Sequence, residues 1–388
     1  MTTARDQLEL LAPALAFLLA AVPLAHLLGR LGVFDAVARR VAHRVHGTWA
    51  WWLLAAVTTI VLNLDTTVVL LTPLYLHVAR RRGDDPLVLA AIPFLLANLA
   101  SSVLPVSNLT NLIAAERYEL TTSELVKGLG PASLAMIAVG FLTHRAWAAR
   151  RPTPAVPPTA QVALTGSVPA DDLAPDLDPL AIAVLDEDTG GDGDPFDEER
   201  DDRAALATGA VVVLGLLVSF VVGPPLGIEP WAAVVAADVA LALRLRWFPL
   251  RAVPFTVAAA VAALAVVVGW AVPGDRLEVA VGHGGAVGVV LGALTAAALS
   301  AAVDNLPALL VLLEGVDRSS VLPVLLGVNA GAVLTPIASL ANLLWLRTAR
   351  AHGLAVRGPD ALRLGLVVGG PAFLAGVVVL AVQRALGG

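Results

Sequence analysis

The sequence predicts an all-α polytopic membrane protein built from inverted structural repeats, each with a re-entrant helical hairpin and one broken transmembrane helix. Three observations predict it. Apolar residues fall in blocks of about twenty, the length a helix needs to cross about 30 Å of hydrocarbon. Two stretches in different halves, NLASSVLPVSNLTN (98–111) and NAGAVLTPIASLAN (329–342), share the spacing Asn-x6-Pro-x5-Asn inside otherwise apolar runs. The basic residues sort to one side of the membrane once the hairpins are allowed to re-enter.

Composition sets the frame for the first observation. Of 388 residues, 58% are hydrophobic and 14% charged, whereas an ordinary soluble domain is about a quarter charged. Lipid is therefore the solvent, and a soluble protein with one oversized core is excluded. There is no cysteine, which excludes disulfides, a thiolate metal site and a cysteine nucleophile. The arginines lie at helix ends with no basic stripe, so no nucleic-acid partner is expected. No cofactor and no metal are expected either.

The first repeat spans 1–148. Its opening run, Leu8–Leu28, follows a single Arg5 and lacks a small-x-small cleavage site, so it reads as a retained helix. Gly32–His46 reads as an amphipathic interfacial helix with Val33, Phe34, Val37, Val41 and Val45 on one face. Segments 48–64 and 66–79 form the first hairpin (48–79), with Trp49, Trp51 and Trp52 as an interfacial anchor. Segment 87–115 is interrupted by the first polar stretch, and 124–144 closes the repeat. Residues 149–203, rich in Pro, Gly, Asp and Glu, cannot bury enough apolar surface to order themselves and predict a disordered cytoplasmic linker.

The second repeat spans 204–388. Its helices are expected at 204–223, 231–246 and 254–272, followed by a hairpin (284–314), a broken helix (320–346) and a last helix (362–384). Asp238 lies in an apolar run and reads as a buried pair with Arg244 or a polar contact between helices. His26, His77, His144 and His283 sit near helix ends and read as interfacial. GHGGAVG (282–288) has no Walker lysine and no following strand, so it reads as a hairpin entry rather than a phosphate loop.

Topology tests the hairpins. If 48–79 and 284–314 both enter and leave on one side, only Arg5, Arg117, Lys127, Arg276, Arg318 and Arg384 of the 25 Lys and Arg residues fall outside. Full spanning by either hairpin would scatter the later Arg clusters and abolish the bias. The first hairpin is thereby expected on the cytoplasmic side and the second on the outer side.

Within hydrocarbon, non-helical backbone survives only where it is buried in protein or lines a wet cavity. The two polar stretches therefore predict a cavity near mid-membrane, and corresponding broken helices in two repeats point to a transporter site. Asp65 and Asp304 are the costliest residues to insert, about 2.5–3.5 kcal/mol each at the bilayer centre. One reading makes them a titrating, proton-coupling pair; the other makes them helix caps, because Asp65 precedes Thr66-Thr67 and Asp304 precedes a Pro-bearing helix start.

With these elements placed, the sequence resembles the membrane subunit of arsenite efflux pumps, within the ion transporter superfamily that also holds dicarboxylate and sodium/proton transporters. The resemblance rests on LTPIASLANLLWLRTARAHG (334–353), similar to that family's TPIGSLATLLW. It rests also on DNLPALLVLLEG (304–315), LDTTVVLLTPL (64–74) and VSNLTNLIAAE (106–116). It implies arsenite or antimonite extrusion driven by protons, across the bilayer of a bacterial inner membrane. A soluble ATPase subunit and a homodimeric arrangement are the candidate protein partners. By position, the substrate or ion site would draw on Asn63, Asp65, Thr66, Thr67, Asn98, Ser107, Asn108 and Asn111 from the first half. The second half would contribute Asp304, Asn305, Asn329, Thr335, Ser339 and Asn342. The sequence departs from the family where Leu64 replaces an Asn, where Asp304-Asn305 replaces paired Asn, and where Ala338 replaces a Gly.

The residues leave four functions open. Arsenite in neutral water is an uncharged trihydroxide that Asn, Ser and Thr can hold without thiols. A sodium/proton antiporter would accommodate both acids. A di- or tricarboxylate would be repelled by them, with no Lys or Arg near the tips to offset the charge. A non-conducting scaffold would gain stability by losing the polar breaks.

Overall fold

The computed structural model describes residues 4–34, 36–37, 40, 47–151, 195–223, 226–271 and 285–387. In the first half, α1 (Ala4–Arg30) is followed by a helical pair, α2 (Trp49–Val61) and α3 (Leu64–Arg82). Next come α4 (Pro86–Leu99), a 3-10 turn at Pro105–Ser107, α5 (Leu109–Tyr118) and α6 (Thr122–Ala148). In the second half, α7 (Pro195–Val222), α8 (Pro230–Leu245) and α9 (Phe255–Ala271) precede the pair α10 (Gly285–Val303) and α11 (Asn305–Leu313). Then follow α12 (Val321–Ala330), a 3-10 turn at Gly331–Leu334, and α13 (Leu340–Ala351). The chain ends with α14 (Gly358–Leu364), a π-turn at Gly365–Gly369, and α15 (Gly370–Gly387).

Both pairs are re-entrant hairpins. In the first, Tyr75 donates its hydroxyl to the Trp51 carbonyl at 2.6 Å, and Thr59 donates to Thr67 at 2.9 Å. Contacts 51–75 and 59–67 fix two antiparallel helices folded about a tip at Asn63. With 13 residues, α2 is about 20 Å long, too short to span the hydrocarbon. In the second hairpin α11 has only 9 residues, and the tip is Asp304.

The hairpins point in opposite directions. The open end of the second meets the end of α5, where Arg117 pairs with Glu314 at 2.9 Å and Tyr118 donates to the carbonyls of Leu313 and Val316. The open end of the first meets the end of α13, where Arg80 donates to the His352 carbonyl. Because α5 and α13 leave the centre towards opposite faces, the two repeats are inverted.

Where the second broken helix passes α14 and α15, the backbones nearly touch: a Cβ on Gly365 would lie 2.1 Å from the Val333 oxygen. The π-turn loosens carbonyls there, and Thr143 Oγ1 donates to that of Val368 at 3.0 Å.

Several expectations are corrected. Residues 195–203 belong to α7, so the second repeat begins inside the acidic segment read as linker from 149 to 203; Pro at the first position and acids in the first turns suit a helix start. At the other end of that segment, Arg151 pairs with Asp85. Trp51 and Trp52 are core residues rather than interfacial anchors. Trp51 packs edge-on to Tyr75 at 5.2 Å and Trp52 Nε1 donates to the Ile137 carbonyl at 3.0 Å, while Trp49 is exposed. His144 is also buried, bonded to the Val88 carbonyl at 2.9 Å and set between the rings of Trp52 and Trp147. Asp238 is buried on α8 but does not pair with Arg244, which donates to Thr208 on α7. The stretch 41–46, the linker core 152–194 and the GHG part of the hairpin entry (282–284, with His283) lie outside the described residues.

Candidate functional site

The two polar stretches break their helices by the same local device. A proline at the break has no N–H, and the carbonyls that lose helical partners need donors in a medium without water. Asn111 supplies them in the first half: its Nδ2 donates to the carbonyls ten and seven residues earlier, Ser101 at 2.8 Å and Leu104 at 2.9 Å. Asn342 does the same in the second, to Ala332 at 2.8 Å and Thr335 at 2.9 Å, again ten and seven residues earlier. Helix α5 is capped by Asn108, which accepts from Thr110 N at 3.2 Å, and α13 by Ser339, which accepts from Ala341 N at 3.3 Å.

These staples are cross-linked between halves. Asn98, near the end of α4, donates to Asn342 Oδ1 at 2.8 Å. Asn329, near the end of α12, donates to Asn111 Oδ1 at 2.6 Å. Each broken helix thus completes the staple of the other, and the asparagines and serines named are all buried. Two further bonds exist in one direction only: Asn108 and Thr110 both donate to Asn329 Oδ1, at 3.0 and 2.5 Å. The equivalent oxygen, Asn98 Oδ1, has no partner among the described residues; neither has the buried Ser102 hydroxyl.

The hairpin tips close on this lattice. Asn63 caps α3, its Oδ1 accepting from Thr66 N at 2.8 Å, and Thr67 donates back to the Asn63 carbonyl at 2.9 Å. Asp304 caps α11, accepting from Leu306 N at 3.1 Å. It also lies within reach of the backbone N–H groups of Asn305 and Leu340, the latter the first residue of α13. Asp65 and Asp304 are both half-buried and close enough to interact electrostatically. Ser300 ties the second tip to its break, donating to the carbonyls of Ala338 at 3.1 Å and Val328 at 3.3 Å.

Asp304 has φ 87° and ψ 153°, a region populated almost only by glycine. Holding another residue there costs about 1–3 kcal/mol, and such strain collects at functional sites. No comparable strain exists at Asn63, whose φ of 160° is extended backbone.

The structure therefore gathers residues from all four expected stretches, and it sorts them. Ser107, Asn108, Asn111, Ser339, Asn342, Asn63 and Thr67 spend their polar atoms on backbone and on one another. Asp65, Thr335 and Asp304, at the tips and the second break, are half-buried, with the buried Thr66 and Asn305 next to them in the chain. The tips also correct a pairing: the capping counterpart of Asp304 is Asn63, and Asp65 is not a cap. Reading the sequence alone misses Thr110, Ser102 and Ser300. Thr110 and Ser102 stand within the polar stretches themselves, and Ser300 is a lone hydroxyl in an alanine run one turn before the tip. Among the described residues, no Lys or Arg forms an ion pair here; the ion pairs found lie at the helix ends.

The sequence profile of the citrate transporter family matches residues 6–320. The chain belongs to that family. It is a multi-pass membrane transporter of the ion transporter superfamily and not an enzyme. Among curated relatives, the arsenical pump membrane protein of Escherichia coli is 26% identical over 95% of this chain and 86% of its own length. The magnetosome protein MamN of Magnetospirillum gryphiswaldense is 33% identical over 134 residues, 33% of this chain and 30% of that protein. Among solved structures, the YdaH transporter of Alcanivorax borkumensis superposes with a TM-score of 0.50 at 18% identity, covering 100% of this chain and 88% of its own. That likeness concerns the fold alone.

Proposed function

We propose that this citrate-transporter-family protein extrudes arsenite or antimonite from the cytoplasm in exchange for protons. The observation that carries the reading is the chemistry gathered where tips and breaks meet, which we read as the substrate chamber: buried amides and hydroxyls, two half-buried carboxylates and, among the described residues, ion pairs of Arg only at helix ends. An uncharged trihydroxide offers both O–H donors and oxygen acceptors. Asn98 Oδ1 and Ser102 are buried polar atoms without partners, suited to such a ligand. Asp65 and Asp304 are the groups on which protons would travel, since each is costly as a charge at this depth. The 26% identity to the arsenical pump membrane protein supports the same substrate.

A second reading, transport of citrate or a dicarboxylate, is favoured by the family description and by the helix starts at the breaks, which suit anions. The two acids oppose it unless a bound cation neutralises them. The third, sodium/proton exchange, shares the acids but gives the buried Asn98 Oδ1 and Ser102 hydroxyl no ligand with both donors and acceptors.

Everted membrane vesicles separate the three. Under an imposed proton gradient, they are expected to accumulate arsenite, and Asp65→Asn is expected to lower uptake to the level of empty vesicles while the protein remains folded and in the membrane. Sodium exchange without arsenite uptake, or citrate-driven proton movement, would replace this reading with one of the others.

A further inference from the structure

The two hairpin tips are alike in position and unlike in charge. Asn63 and Asp304 each cap the second helix of a hairpin with a side-chain oxygen, at 2.8 and 3.1 Å from the backbone N–H they accept. Asp304 does more than cap. Its carboxylate faces N–H groups at the starts of two helices at once, Asn305 and Leu306 of α11 and Leu340 of α13. Helix starts carry partial positive charge and are where a bound anion finds its donors. In this chain the anion is already attached to the protein.

We infer that Asp304 sets the charge selectivity of the chamber: its ionised carboxylate fills, as a built-in anion, the pair of helix starts beside the second break where a substrate anion would be held. The inference rests on the chamber being the substrate site, and it deepens the proposed function by naming what the site refuses. An uncharged oxyacid needs no helix start and fits beside the occupied one. Whenever Asp304 is ionised, a carboxylate substrate would compete for the same N–H groups against the protein's own carboxylate, with Asp65 close by adding to the repulsion. Two features say the acid is kept for use rather than for capping. Asn63 shows that a neutral amide suffices to cap the equivalent helix. Asp304 also holds a glycine-type backbone conformation that a glycine would adopt at no cost.

The test is a titration of the purified full-length protein in lipid nanodiscs with citrate and, separately, with arsenite. Wild type is expected to give no citrate heat. Asp304→Asn is expected to raise citrate affinity at least about tenfold, the effect of removing one like charge at contact range. Asp304→Gly is the second variant, because glycine accepts the tip conformation without strain and keeps the protein folded if the amide does not. Citrate bound by wild type as tightly as by the variants overturns the inference, and so do folded variants that gain nothing. The arsenite arm reads the proposed function independently. A wild type silent to both ligands, with citrate gained in the variants, keeps the charge rule and removes the metalloid. Arsenite bound by wild type with no citrate gained in the variants does the reverse.

Discussion

The first and second halves solve one backbone problem in the same way and then diverge in chemistry. In both, an asparagine donates to carbonyls ten and seven residues back and receives the amide of an asparagine from the other half. Around that shared frame the first half adds redundancy. Ser107 donates to the carbonyls of Ser101 and Leu104, at 2.6 and 2.7 Å, that Asn111 already serves, and Thr110 joins Asn108 on Asn329. The second half has Ala338 and Ala341 at those places, an acid where the first has Asn63, and a break that is open. Ile337 and Leu340 are 56% and 41% exposed, while the corresponding Val106 is 1% exposed. The lesson is a division of labour: one break is over-bonded and fixed, the other is sparingly bonded and carries charge.

The largest expected effect tests that division directly. Asn342→Ala leaves the Ala332 carbonyl without a donor, the Thr335 carbonyl with only the Ala338 N–H and the Asn98 amide with only the Phe94 carbonyl, with no serine in reserve. An orphaned group costs about 1–3 kcal/mol and each bond lost by a group still served about 0.5–1.5 kcal/mol, so a loss of about 2–4 kcal/mol is expected. Asn111→Ala should cost about 1 kcal/mol less, because Ser107 still serves both carbonyls. Thermal unfolding in detergent, followed by fluorescence size exclusion, ranks the two. Equal losses would mean that the halves are energetically equivalent and the contrast is only geometric.

Next in size is Gly365→Ala. The new methyl would meet the Val333 oxygen at 2.1 Å, backbone against backbone, so neither side can yield by rotating a side chain. A cost of about 2–3 kcal/mol is expected, together with slower transport, since the displaced segment is the second break. A mutant that keeps wild-type unfolding temperature and uptake would show that the second break tolerates movement at its outer edge.

What the sequence made legible follows from where burial is expensive. Asn98, Pro105, Asn111 and their partners Asn329, Pro336 and Asn342 stand out because polar, proline-broken backbone in hydrocarbon needs a reason. The hairpins stand out because arginines sort by face. Other features turn on contacts rather than composition. Trp51 and Trp52 look like any interfacial tryptophans until Tyr75 and the Ile137 carbonyl are seen to hold them inside. Asp65 and Asp304 look like twins by residue type, yet backbone register makes Asn63 the counterpart of Asp304. The start of α7 is hidden because acids read as solvated chain and as a favourable first helical turn alike.

The smallest effect is the most discriminating. Ser107→Ala removes two hydrogen bonds to carbonyls that Asn111 still serves, so nothing is orphaned and about 1 kcal/mol or less should be lost. The second half already functions with Ala338 at the equivalent place. Combined with Asn111→Ala, however, the same change leaves the Ser101 carbonyl bare and the Leu104 carbonyl with only the residue-107 N–H, and the double mutant should lose more than the two single losses together, by about 1 kcal/mol. Its total should approach that of Asn342→Ala alone, because the first break has then been reduced to the bonding of the second. Strict additivity would show that Ser107 is not a reserve for the staple.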